Sequence, residues 1–178
     1  MGAVRGGVVV VMVAACAAAA WGAASRRAVM SDTETARPAE SPVAAGAKAV
    51  KLADGFAFTE GCTSDKNGDV YFIDQPNDSI LKWTFDGKES AGDYTGGKRA
   101  TFRHPSNYSN GMSFDPAGNL ISCADEKNEL WSIAPDKKVT VLVKDFQGKL
   151  LNGPNDVWIR PAGNMYLTDP LYKRACWK

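Results

Sequence analysis

The chain has 178 residues, 44% hydrophobic and 23% charged, a composition that excludes wholesale disorder and leaves room for a real core. Its 21 basic and 20 acidic side chains nearly cancel to +1, so no electrostatic footprint calls for nucleic acid or an anionic membrane surface, and a small, roughly neutral ligand fits as well as any.

Residues 1–24 open with Arg5, continue through an uncharged run of 14 residues from Val8 to Trp21, and end in small side chains. That run falls short of the ~20 apolar residues that cross a bilayer. It is read as a secretory signal peptide, absent from the mature fold, and the protein is expected to be exported, either periplasmic or secreted. Val13-Ala14-Ala15-Cys16 resembles a bacterial lipobox, so a lipid on Cys16 is the one route to membrane attachment. Residues 25–49 lack a hydrophobic period and carry Pro38 and Pro42, which reads as a flexible linker.

From Val50 onward no window sustains apolar residues at three- and four-residue steps, so long helices are not expected. Short β-type runs appear instead at 68–74, 79–85, 118–124, 129–133, 139–143, 156–160 and 163–168. Tight-turn sequences join them: Asp65-Lys66-Asn67-Gly68, Asp115-Pro116-Ala117-Gly118, Asp136-Lys137-Lys138 and Arg160-Pro161-Ala162-Gly163. Glycine accepts positive φ and proline presets its own, which is why these residues make turns. The glycine-rich, polar stretch Asp86 to Arg103 reads as a long loop between repeats. Several hairpin-linked strands per ~45 residues describe a four-stranded propeller blade, and the turn glycines 68, 118 and 163 are spaced accordingly, by 50 and 45 residues. Residues 50–178 are therefore expected to be all-β, with about three blades of a β-propeller.

Glu60, Asn110 and Asn155 each lie eight residues before one of those turn glycines. In a propeller the innermost strand of every blade lines a central channel, so residues at one phase converge on its axis. A Glu with two Asn is a mixed set of oxygen donors that suits calcium. Viewed singly, each is more simply a turn or loop residue; the shared phase makes them candidates.

Other chemistries find less support. The four cysteines, at 16, 62, 123 and 176, form no close pair, which argues against a zinc knuckle or a thioredoxin-type motif. An oxidising compartment would permit a bridge among Cys62, Cys123 and Cys176, without the sequence choosing the pair. The single histidine, His104, reads as a loop residue, and no nucleophile elbow is present. Trp83, Trp131, Trp158 and Trp177 recur about once per repeat and read as blade-packing core. Asn77-Asp78-Ser79 and Asn107-Tyr108-Ser109 match the glycosylation acceptor pattern.

Three ordered motifs carry a family resemblance: Phe58-Thr59-Glu60-Gly61, Ser109-Asn110-Gly111-Met112-Ser113-Phe114-Asp115 and Leu151-Asn152-Gly153-Pro154-Asn155-Asp156-Val157. With the tail Tyr166-Leu167-Thr168-Asp169-Pro170-Leu171-Tyr172, residues 50–178 resemble the N-terminal half of the gluconolactonase family that includes regucalcin, the senescence marker protein. The resemblance implies a six-bladed propeller with a divalent cation, usually calcium, in its channel, and hydrolysis of a small sugar lactone. It implies Glu60 and Asn155 as metal ligands, and Asn110 and Asn155 as substrate-binding residues. The catalytic Asp it implies has no counterpart up to Lys178, and six blades would need roughly 300 residues, so a longer parent is expected. A partial ring also leaves a sheet edge open to self-association. The alternative reading is a non-catalytic propeller scaffold or ligand-binding module.

Overall fold

The computed structural model describes residues 51–87 and 96–171, together with the backbone of 10–13. The expected signal peptide, apart from that short backbone stretch, lies outside the described residues, as do the linker, Cys16, Tyr172, Cys176 and Trp177.

Three antiparallel sheets follow one another along the chain. The first blade is β2 (Thr59–Ser64), β3 (Val70–Asp74), β4 (Ser79–Phe85) and β5 (Gly97–Arg103), paired in sequence order. The second repeats it with β6 (Ser109–Phe114), β7 (Leu120–Ala124), β8 (Glu129–Ile133) and β9 (Val139–Val143). A small hairpin, β10 (Asp145–Phe146) and β11 (Lys149–Leu150), leads to β12 (Asp156–Ile159) and β13 (Met165–Thr168) of the third. There β1 (Val10–Val13) runs antiparallel along the far edge of β13. The molecule is an all-β partial propeller, as the repeat spacing predicts.

Local chemistry makes the repeat. Each of Gly68, Gly118 and Gly163 donates its N–H to the carbonyl three residues earlier, on Asp65, Asp115 and Arg160, at 2.8–3.0 Å. All three hold φ between +84° and +87°, the left-handed region where a Cβ is costly. At the opposite end a single 3-10 turn links the second and third strands, Gln75–Asn77 in blade 1 and Asp125–Lys127 in blade 2.

Alternation on the strands then builds the core between blades rather than within them. Tyr71, Ile73 and Ile80 of blade 1 meet Met112, Leu120, Trp131 and Ile133 of blade 2. Ile121, Cys123 and Leu130 on the other face of blade 2 meet Val157 and Leu167 of blade 3. Each such aliphatic side chain, fully removed from water, contributes about 1.5–3 kcal/mol, so neighbouring blades hold each other up.

Two expectations are corrected. The stretch Asp86 to Arg103 is not a loop throughout, because Gly97–Arg103 forms β5, the outer strand of blade 1. It reads as loop because five of its seven residues are exposed and no apolar alternation marks it. Trp131 is buried as blade-packing core, but Trp158 is 59% exposed, since it faces away from blade 2 while Val157 beside it faces in.

Candidate functional site

The three inner strands meet backbone to backbone at the end that carries the 3-10 turns. In blade 1 Glu60 pairs with Ile73 and Thr63 with Tyr71, so two residues, Gly61 and Cys62, oppose Phe72 alone. In blade 2 Ser109 pairs with Ala124 and Met112 with Ser122, so Asn110 and Gly111 oppose Cys123. Both are β-bulges, which bend a strand and re-aim its side chains. The glycines in them permit close approach of the next blade. A Cβ on Gly61, which holds φ at +60°, would lie 2.5 Å from the carbonyl oxygen of Asn110. The N–H of Gly111 donates to the carbonyl of Asn155 at 2.6 Å, and a Cβ there would collide with Asp156. Of the residues predicted from their phase, Glu60 thus stands on β2, Asn110 on the abutting β6, and Asn155 immediately before β12, its carbonyl bonded to β6 through Gly111.

Their side chains differ in setting. Asn110 is buried, and its Nδ2 donates to the carbonyl of Pro154 at 3.2 Å, which fixes the amide orientation and leaves Oδ1 as the acceptor. Asn155 is half-buried, and its backbone N–H is held by Thr168 O at 2.9 Å. Glu60 is half-buried, and its pKa is raised, first by burial and then by the charges of Asp125 and Asp156. Those two carboxylates were not singled out from sequence. Asp125 opens the 3-10 turn of blade 2 and Asp156 follows Asn155 directly, positions where an acidic residue ordinarily reads as turn chemistry. Below them the Cys123 thiol is fully buried and its pKa is pushed well up, by burial above all and then by the charges of Asp156, Asp125, Asp169 and Glu60.

No three His, Cys, Asp or Glu side chains among the described residues converge to hold a metal by themselves. The oxygen donors expected from the sequence are one carboxylate, Glu60, with the amides of Asn110 and Asn155. Such a hard, mixed set fits calcium, whose shell water completes, and a cation would relieve the crowding of negative charge around Glu60.

The remaining candidates separate cleanly. His104 is an exposed loop residue within hydrogen-bond distance of Ser79 Oγ and Asp78 O. Cys62 and Cys123 are free thiols, one exposed and one buried, so they form no bridge with each other. Asn77 spends its amide on Asp74 Oδ2 at 2.8 Å and Asn107 is 8% exposed, which makes both poor glycan acceptors.

The fold defines a partial propeller in which Glu60 lies on β2, Asn110 on β6 and Asn155 just before β12. The family described as SMP-30/Gluconolactonase/LRE-like region matches residues 58–176, and the chain belongs to it. A gluconolactonase of Zymomonas mobilis is 30% identical over 128 residues, which are 68% of this chain and 35% of that protein. A crystal structure ascribed to a gluconolactonase shares 33% identity with a TM-score of 0.63, covering 72% of this chain and 42% of that one. The gluconolactonase structure from Xanthomonas campestris superposes with a TM-score of 0.59 at 23% identity, covering 67% and 37%. The chain spans less than half the length of these relatives.

Proposed function

We propose that this site belongs to a calcium-dependent hydrolase of sugar lactones. The observation that supports the reading is the close approach of the bulged strands β2 and β6, which carry Glu60 and Asn110, to the backbone of Asn155, in a chain of the gluconolactonase family. When bound, a divalent cation supplies Lewis-acid polarisation of the lactone carbonyl. Glu60 and Asn155 are the residues that would hold it. Asn110, whose amide donates to Pro154 O, is the residue that would orient the substrate's oxygens. Hydrolysis adds water to the carbonyl carbon and breaks the ring C–O bond, giving one hydroxy acid per lactone. A carboxylate takes the proton from that water, and Asp125 and Asp156 are the two that stand near Glu60 in this chain. In the same reading the protein acts in an exported compartment on a small neutral substrate.

Lactone opening followed by pH-stat titration tests this, with calcium and with a chelator. Wild type is expected to turn over only with calcium, and Glu60→Gln to lose activity about 100-fold or more while keeping its β-type circular dichroism. A folded chain that neither binds calcium nor opens a lactone would sink the proposal and leave a propeller scaffold.

A further inference from the structure

Blade 2 differs from its neighbours at one buried position. Four residues after their turn glycines, blades 1 and 3 carry Phe72 and Leu167, whereas blade 2 carries Ser122. Ser122 lies on β7 between Ile121 and Cys123 and is fully buried. A hydroxyl taken out of water costs stability unless it is hydrogen-bonded, and this one starts a chain of bonds. Ser122 Oγ donates to Ser109 Oγ at 2.8 Å, Ser109 Oγ donates to the carbonyl of Ser106 at 2.7 Å, and Ser106 Oγ donates to Asp78 Oδ1 of blade 1 at 2.8 Å. All three serines are fully buried, so water competes little for these bonds.

The chain of hydroxyls meets the inner strand of blade 2 where it bulges. Ser109 pairs with Ala124 and Met112 with Ser122, and between them Asn110 and Gly111 oppose Cys123 alone. Slipping a strand by one residue turns every side chain to the other face, so a bulge keeps its place only where its flanks are pinned. Ser122 pins both: its backbone pairs with Met112 after the bulge, and its hydroxyl reaches Ser109 before it. The residues so held are the ones that reach the third blade. The Asn110 amide donates to Pro154 O at 3.2 Å and the Gly111 N–H to Asn155 O at 2.6 Å. We infer that Ser122 is a positioning residue of the candidate site, its hydroxyl holding the bulge in the register that ties Asn110 and Gly111 to the Pro154–Asn155 backbone. Blade 1 has no such need for Glu60, which stands before its own bulge in an ordinary pair with Ile73, and Phe72 there cannot hydrogen-bond. The consequence for a substrate rests on the lactone-hydrolase reading; the hold on the bulge does not.

Ser122→Ala tests it cleanly, because the Ser109 hydroxyl keeps its own acceptor in Ser106 O and no buried donor is stranded. Native-state hydrogen exchange of the full 178-residue chain, read by NMR, should show the Gly111 N–H exchanging about ten-fold faster, the equivalent of one hydrogen bond. Amides of the β3–β4 ladder in blade 1 should keep their rates. Ser122→Cys, which retains a weak donor of similar size, should fall between wild type and Ser122→Ala, and it keeps the test decisive if the alanine variant loosens the whole chain. With glucono-1,5-lactone as the probe, KM should rise about ten-fold in Ser122→Ala while kcat stays within about two-fold. Unchanged Gly111 exchange, or a rise shared equally by the β3–β4 ladder, would overturn the inference. A wild type that opens no lactone would overturn the proposed reaction instead, and the exchange rates would still decide the role of Ser122.

Discussion

Blades 1 and 3 hold their inner strands by one device and blade 2 by another. In blade 1 the buried Asp74, at the end of β3, accepts the N–H groups of Ala57 and Phe58 just before β2, at 3.1 and 3.2 Å. In blade 3 the buried Asp169, following β13, accepts those of Asn152 and Gly153, at 2.8 and 2.9 Å. Blade 2 has Ala124 at that position, and the clamp comes from outside. Asp78 of blade 1 accepts from Ser106 N, Ser106 Oγ and Tyr108 N at 2.9, 2.8 and 2.7 Å. Asn107 and Tyr108 in that segment hold φ of 58° and 49°, a left-handed pair that needs support from its surroundings. The inner strands of blades 1 and 3 are thus positioned by their own sheets, while that of blade 2, with Asn110, is keyed to its neighbour.

Breaking each clamp measures the difference. Asp169→Ala strips the acceptor from two backbone N–H groups and from Asn152 Nδ2, in a place that water reaches poorly. A loss of about 3 kcal/mol is expected, read as a lower urea midpoint at unchanged slope. Calcium affinity should fall with it, because this segment carries Asn155. Asp78→Ala should cost about 2 kcal/mol, somewhat less because the Ser106 hydroxyl can turn to another partner. Here the comparison sharpens: in a double-mutant cycle, Asp78→Ala and Ser106→Ala should be non-additive, whereas Asp169→Ala and Ser106→Ala should add within about 0.5 kcal/mol. Additivity in the first pair would remove the inter-blade clamp.

The same contrast shows what the sequence carried. Turn glycines act through their own backbone, so Gly68, Gly118 and Gly163 were legible, and with them the repeat and the phase of Glu60, Asn110 and Asn155. The inner strands β2 and β6 were not, because the bulges at Gly61-Cys62 and Asn110-Gly111 break the alternation by which a strand is recognised. Asp125 and Asp156 were invisible for a different reason. What draws them into the site is the approach of blades far apart in sequence, and nothing local distinguishes them from solvated turn carboxylates. Trp158 misled because counting aromatics ignores facing. Its position between Val157 and Ile159, both turned toward blade 2, held the answer through the two-residue period of a strand.

Acid should act on the self-contained clamp of blade 1 before it touches packing. Burial alone would raise the pKa of Asp74, but the Asn77 side chain, the Phe58 and Ala57 N–H groups and the Arg99 charge outweigh it and hold it below the ordinary 3.8. A lowered folded value means the ionised form is the one the fold prefers. Its contribution is present above about pH 4 and is lost as pH falls through the folded value. Asp74→Asn should flatten that acid limb of stability against pH and lower the plateau above it by about 1–2 kcal/mol.

Glu60 has the opposite sign and the smallest expected effect on the apo fold. Its folded pKa lies above the ordinary 4.5, through burial first and the Asp125 and Asp156 charges after it. Stability tied to Glu60 is therefore fully present below pH 4.5 and is lost as pH rises through the raised folded value. Glu60→Gln abolishes that loss, so in chelator at neutral pH the variant should be at least as stable as wild type. With calcium the order should reverse: a cation at 100 times its dissociation constant stabilises the wild type by about 2.7 kcal/mol, and the amide variant should respond far less. Thermal melts of both proteins, with calcium and with chelator, read the crossing directly. A parallel response of the two would detach Glu60 from the cation, and with it the idea that the crowding of carboxylates at this end of the channel is there to be neutralised.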